Sequence, residues 1–168
     1  MDSQTLREIQ SPLKKKYREE PDSALVRLHA EGKLGPDLTV AVRTEHYTIL
    51  AGPHPATGGS GKEACSADML LAAIAACAGV TLSSVATALD ISLENAAVSA
   101  DGDLDFRGTL GVSREVPVGF KNINLHFDLE TKASGEQIQS LIKLTERYCV
   151  VFQTLKNTPQ LSVTVSSK

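Results

Sequence analysis

Along residues 3–33 the apolar positions recur at helical spacing on a polar background, which predicts an amphipathic helical extension. Leu25, Leu28 and Leu34 are the residues expected to seat it on the body, and Pro21-Asp22 offers a break and a fresh helix start. The period changes after Gly35-Pro36. Leu38, Val40 and Val42 alternate with Thr39, Ala41 and Arg43, the pattern of a half-buried strand. Arg43-Thr44-Glu45-His46 then reads as a hairpin connection into a second strand, Tyr47 to Leu50. Residues 52–61 are rich in glycine and proline and read as a loop.

Ala67 to Leu89 is a long helix, with Ser66 as its expected cap and Asp68 in its first turn, where the dipole favours it. Leu70, Ile74, Cys77 and Thr81 step by four, three and four, so they share one face with Cys77 near its middle. Leu93 to Ala100, Leu104 to Val112 and Ile123 to Leu129 read as strands, with Asp101-Gly102 as a turn. Ser134-Gly135-Glu136-Gln137 is a capping box that opens a second helix. The buried stripe of that helix is Ile138, Leu141, Thr145, Cys149 and Phe152, and Leu161, Val163 and Val165 alternate in a closing strand. The order predicts an α+β fold, a mainly antiparallel sheet over two central helices, with a domain at 37–168 after an extension at 1–36.

Composition narrows the function classes. A chain of 168 residues, 42% apolar and 22% charged, suits one soluble domain with a single core. Seventeen basic residues against twenty acidic ones, a net charge of -3 and no tryptophan argue against a nucleic-acid surface. The basic cluster Lys14, Lys15, Lys16 and Arg18 is followed at once by Glu19 and Glu20, the pattern of a solvated helix face. Leu70 to Leu89 carries no charge and is long enough to span a bilayer. It is alanine-rich and interrupted by serine, threonine and glycine, so it reads instead as a central helix buried on all sides. Three cysteines and a polar stretch from Met1 to Glu20 point to a reducing, cytoplasmic setting.

Cys77 and Cys149 are the residues that could carry chemistry. A cysteine on an apolar helix face is by default a small hydrophobe. Here two helices each present one inward, and helices packed roughly 8–10 Å apart can bring such thiols close. Periodicity permits that contact without requiring it. The remaining candidates are weaker. Cys65 does not stand at a zinc spacing, and His29, His46, His54 and His126 are scattered without a paired metal-ligand motif. Glu146 and Arg147 read as a solvated face, with Arg147 a second cation within reach of Cys149. The glycines at 58–61 follow no nucleotide-loop pattern.

Gly58-Gly59 and the run Ser66-Ala-Asp-Met-Leu-Leu-Ala-Ala-Ile-Ala-Ala-Cys77 resemble the central helix of the OsmC/Ohr family, the osmotically inducible and organic hydroperoxide resistance proteins. Pro117-Val-Gly-Phe120, the capped helix from Ser134 and Glu146-Arg-Tyr-Cys149-Val-Val-Phe-Gln-Thr-Leu155 agree with it in order and separation, from about residue 37 to 167. The resemblance implies sheets wrapped around two long helices in an intertwined homodimer, with active sites at the subunit interface. It implies a peroxidase that reduces organic hydroperoxides. Cys77 matches the peroxidatic cysteine, whose thiolate takes the terminal peroxide oxygen and becomes a sulfenic acid. Cys149 matches the resolving cysteine, which condenses with that sulfenate into a disulfide. The resemblance further implies an external dithiol reductant, of the lipoyl type in well-studied relatives, and neither a metal nor a bound cofactor.

A free thiol titrates near about pH 8.5, so a peroxidatic cysteine needs a positive neighbour. Arg43 stands at the end of the first strand, where the family places its catalytic arginine; a surface arginine at a hairpin is the competing reading. The sequence departs from hydroperoxide-specialised members twice. Ala67 stands where they carry a glutamate that orients the arginine, with Asp68 and Glu63 as the nearby carboxylates, and Val150 stands where they commonly have proline. These departures keep two rivals in view: a non-catalytic module that binds a small apolar ligand in the interface cleft, and a dithiol redox sensor.

Overall fold

The computed structural model describes residues 1–167. The first helix, α1 (Ser3–Glu19), starts where the Asp2 carboxylate accepts the Thr5 N–H at 2.7 Å and stops one residue short of Pro21. A single 3₁₀ turn, Pro21–Ala24, follows, as the Pro21-Asp22 break anticipates. The helical reading of the rest of the extension is corrected. Residues 25–30 are irregular, and β1 (Glu31–Leu34) is a strand. Leu25 and Leu28 are 88% exposed and Leu34 83%, so they do not seat the extension on the body of their own chain. Without a surface to bury against, a short segment gains too little from helical hydrogen bonds alone to hold a helix.

β1, β2 (Val40–Arg43) and β3 (Thr48–Ala51) form an antiparallel meander, with Leu34 opposite Val40 and Arg43 opposite both Glu31 and Thr48. Leu38, expected in the strand, lies in the preceding turn instead. Asp37 and Leu38 both take positive φ, 53° and 62°, and the Gly35 N–H closes the turn on the Thr39 carbonyl. The Arg43–His46 hairpin forms as read, closed by the Thr44 N–H on the Tyr47 carbonyl at 2.9 Å. A parallel bridge from Ala51 to Ala64 ties this sheet to the start of the long helix, and the loop between them holds a 3₁₀ turn, Pro55–Thr57.

That helix, α2 (Ser66–Ala88), buries Ile74, Ala78, Leu82, Val85 and Ala86 against a second sheet and two later helices. Its opposite face, with Ala72, Ala73, Ala76, Val80 and Ser84, is exposed, so the expectation of burial on all sides does not hold within one chain. The second sheet pairs β4 (Asn95–Asp103) with β5 (Asn122–Glu130) antiparallel, from Asn95 opposite Glu130 to Asp103 opposite Asn122. Asp101-Gly102 is no turn. Both continue β4, and a Cβ on Gly102 would meet the Phe120 ring at 2.7 Å, so this glycine serves a close approach of side chain to backbone. The strand expected at Leu104 to Val112 is replaced by one helical turn, α3 (Phe106–Thr109). The Asp105 carboxylate caps it through the Arg107 N–H, and the Arg107 guanidinium, Nε at 2.9 Å, then the Lys121 ammonium at 3.0 Å hold its pKa far below the usual carboxylate range.

The capping box forms as read. Ser134 accepts the Gln137 N–H, the Gln137 side chain takes the Ser134 N–H at 2.8 Å, and α4 (Gly135–Tyr148) begins. The helix does not run on to Phe152 unbroken. Cys149 takes an extended conformation, φ -71° and ψ 109°, and a separate helix, α5 (Val150–Lys156), starts from it. Leu161, Val163 and Val165 form no strand and are 87%, 90% and 87% exposed, paired with none of the strands among the described residues. The core is built where α2, α4 and the β4–β5 sheet meet, on Leu82, Val85, Ala86, Ile91 and Leu141.

Candidate active site

The two central helices bring Cys77 and Cys149 together. Cys77 lies half-buried midway along α2, and Cys149 lies 1% exposed at the α4–α5 junction. The junction matters chemically. The Cys149 N–H still bonds back to the Thr145 carbonyl, and the Gln153 N–H bonds to the Cys149 carbonyl, both at 2.9 Å. The N–H groups of Val150, Val151 and Phe152 are thereby left as the first turn of α5, without helical acceptors. They point at the thiols instead.

The same surroundings push the two thiols apart. Burial alone raises the Cys77 pKa. The Val151 N–H, the Cys149 thiol, the Val150 N–H and the Thr81 hydroxyl outweigh that, and Cys77 lies below its ordinary value. Cys149 lies above its own, first because it is buried and then because it donates to Cys77 and feels its negative charge, against the Phe152 and Val151 N–H groups. Of the two, Cys77 is the thiol favoured to ionise first, and Cys149 is the one disfavoured beside it. Thr81 also anchors the helix locally, its hydroxyl donating to the Cys77 carbonyl at 2.7 Å.

Arg43 is not brought to this pair within one chain. It ends β2 on the exposed side of the meander and is not among the groups that set the Cys77 pKa. The carboxylates near Ala67 are placed elsewhere too. Glu63 accepts the Ser60 hydroxyl at 2.5 Å in the loop before α2, and Asp68 is exposed. Ala67 itself lines a cavity of about 440 Å³ together with Cys65, Leu70 and Phe120. Cys65, rather than Ser66, occupies the N-cap of α2, with no side-chain capping bond. His54 stacks on Phe106, ring centres 4.9 Å apart, and His46 is exposed in the hairpin beside Glu45. The guanidinium of Arg147 lies 5.6 Å over the ring of Tyr148, next to the second thiol. Among the described residues, His, Cys, Asp and Glu side chains gather nowhere in threes within metal-binding reach. What sequence reading missed is the set of amide donors at Val150 and Val151. Only the interruption of α4 exposes them, and the pair of β-branched valines after Cys149 is the faint local signal for it.

The family model described as OsmC-like protein matches residues 59–164, which include both central cysteines. The chain belongs to the OsmC-like family. Solved members share the fold. An OsmC-like protein from Mycoplasma pneumoniae is 20% identical over 79% of this chain and 89% of its own, with a TM-score of 0.67. An organic hydroperoxide resistance protein from Elizabethkingia anophelis, with thiocyanate bound, is 17% identical over 80% of this chain and 91% of its own, TM-score 0.65. An organic hydroperoxide resistance protein OsmC from Legionella pneumophila is 21% identical over 80% and 92%, TM-score 0.62. No curated protein matches the chain. At these identities the solved structures establish the OsmC-like fold, mixed helix with antiparallel sheet.

Proposed function

We propose that this OsmC-like protein is a cysteine-based peroxidase that reduces organic hydroperoxides. The observation that carries the reading is the asymmetry of the thiol pair: Cys77 held low by amide and hydroxyl donors, Cys149 held high beside it. The Cys77 thiolate attacks the terminal oxygen of ROOH. The O–O bond breaks, ROH leaves with a proton, and Cys77 becomes a sulfenic acid. That step removes the negative charge which kept Cys149 protonated. The donors at Val151 and Phe152 then favour loss of the Cys149 proton, and the thiolate attacks the sulfenic sulfur of Cys77; the S–O bond breaks, the leaving hydroxide takes up a proton as water, and the disulfide closes. A dithiol reductant of the lipoyl type returns two electrons by exchange, with no metal and no bound cofactor.

The working unit in this reading is a cytoplasmic homodimer. Within one chain the face of α2 at Ala72, Ala76 and Val80 is bare, and Leu161, Val163 and Val165 pair with none of the described strands. A second copy would cover both and bring Arg43 of the partner subunit to Cys77, where its guanidinium would hold the peroxide and the thiolate.

The deciding experiment is consumption of cumene hydroperoxide by the reduced protein with dihydrolipoamide, beside Cys77→Ser and Cys149→Ser. Turnover by the wild type, none by Cys77→Ser, and a stall after one oxidation in Cys149→Ser are the expected results. A wild type no faster than Cys77→Ser sinks the enzyme reading. Ala67, in place of a carboxylate, is the observation that favours the non-catalytic binding module as what would then remain. A dithiol sensor would form the disulfide in this assay but would not turn over.

A further inference from the structure

The break between α4 and α5 sets which N–H groups reach the thiols, so whatever holds it open bears on their chemistry. In a helix that ran on, the Val150 N–H would bond to the Glu146 carbonyl. Propagation adds a hydrogen bond for each residue fixed, so a continuous helix is the state that competes with the break. Here the Glu146 carbonyl is taken by another donor. The Gln153 side chain reaches back seven residues and donates its Nε2 to that oxygen at 2.7 Å. The other end of the amide is used as well. Gln153 Oε1 accepts the Asn157 Nδ2 at 3.1 Å, and the Asn157 N–H bonds to the Gln153 carbonyl at 2.9 Å. A backbone carbonyl can only accept, which fixes the Gln153 amide with its nitrogen toward Glu146 and its oxygen toward Asn157.

Gln153 thus stands in for the Val150 N–H at Glu146. Against the burial of Cys77, the Val151 N–H, the Cys149 thiol, the released Val150 N–H and the Thr81 hydroxyl favour its thiolate. No charged side chain is among the groups that shift Cys77, and Gln153 is not among those that shift either thiol. We propose that Gln153 is a positioning residue for the reactive thiol: it occupies the Glu146 carbonyl and so keeps the Val150 N–H free to serve Cys77. Asn157 supports it by holding the amide in place. This rests on Cys77 being the reactive thiol of the proposed peroxidase, and it adds the side chain that arranges the backbone donors around it.

The test reads the pH midpoint of Cys77 alkylation by iodoacetamide in the full chain, for the wild type, Gln153→Met, Val150→Pro and the double variant. Methionine keeps the length and helix propensity of glutamine but has no N–H to donate. Gln153→Met should move the midpoint upward, because the Val150 N–H returns to Glu146 and less Cys77 thiolate is present at neutral pH. The double variant should share the midpoint of Val150→Pro alone, since proline leaves no N–H for Gln153 to release. A further shift on top of that of Val150→Pro overturns the proposal, because a residue that merely steadies α5 would add its own effect. Asn157→Ala, at an exposed position, should move the midpoint the same way by a smaller step and serves if Gln153→Met perturbs folding. No movement in either variant overturns the proposal. Peroxide is absent throughout, which separates the two readings. A low wild-type midpoint that ignores Gln153→Met removes the role of Gln153 and leaves the peroxidase standing. Failed turnover of cumene hydroperoxide with the midpoint shifts intact removes the enzyme and leaves Gln153 in its role. A wild-type midpoint like that of an ordinary thiol overturns the thiol asymmetry beneath both.

Discussion

Cys77 and Cys149 are chemically identical residues, and what separates them is burial and the donors each meets. Val150 illustrates this. Its N–H is one of the groups that lower the Cys77 pKa, and a proline there would have no N–H to give. Val150→Pro is a clean test, because proline is well tolerated at the first position of a helix and Cys149 before it is already extended. The sign follows from the thiolate being the nucleophile. Removing a donor to the thiolate raises the Cys77 pKa, so a larger fraction is protonated at neutral pH and alkylation slows. The pH midpoint of Cys77 alkylation by iodoacetamide, followed by mass spectrometry, should lie below that of an ordinary free thiol in the wild type. It should move upward in Val150→Pro, while Cys149 reacts only at higher pH. An unchanged midpoint in the variant would mean that the α5 amides do not set the Cys77 thiolate.

At the scale of elements, α2 begins with an unused opportunity. Its N-cap is Cys65, which makes no side-chain capping bond, whereas serine is among the best N-cap residues. Cys65→Ser should therefore stabilise the protein by about 0.5–1 kcal/mol, read as a higher urea midpoint at unchanged slope, and should leave disulfide formation between the other two cysteines intact. Leu141, fully buried where α4 meets α2, should behave oppositely: Leu141→Ala should cost about 2–5 kcal/mol in the same titration. These elements also show what the sequence exposes to reading. The capping box at Ser134 and the hairpin at Arg43–His46 are visible because their chemistry is complete within four residues. Asp101-Gly102 misleads because its glycine answers to Phe120, eighteen positions away from Gly102 along the chain, and nothing local announces that packing. The cap at Cys65 and the break at Cys149 mislead for a related reason. Periodicity locates the apolar face of a helix well, but the residue at which the helix stops is set by hydrogen-bond partners from outside it. So the two stripes that carry the cysteines were legible, and the amide donors that help distinguish them were not.

At the scale of the whole molecule, the unresolved accounting is apolar surface. Leu161, Val163 and Val165 keep the alternation of a strand while 87–90% exposed, and α2 offers a bare alanine-rich face. An alternating segment without a strand partner and a helix face left uncovered are surfaces that the proposed homodimer would bury. The proposed homodimer predicts that the 17.9 kDa chain elutes at twice its mass, and that Leu161→Lys with Val163→Lys elutes as a monomer. It also predicts where Arg43 acts. Arg43 is exposed at the end of β2 and is not among the groups that shift the Cys77 thiol within one chain, so in the proposed dimer it would serve the site of its neighbour. Arg43→Ala and Cys77→Ser should each lose cumene hydroperoxide reduction as pure proteins. Co-expressed, they form mixed dimers in which the Cys77 of one subunit meets the intact Arg43 of the other. Random pairing makes half of the dimers mixed, each with one complete site, so activity should return to about a quarter of the wild type. If Arg43 served its own chain, every site in every such dimer would lack one residue or the other, and co-expression would restore nothing.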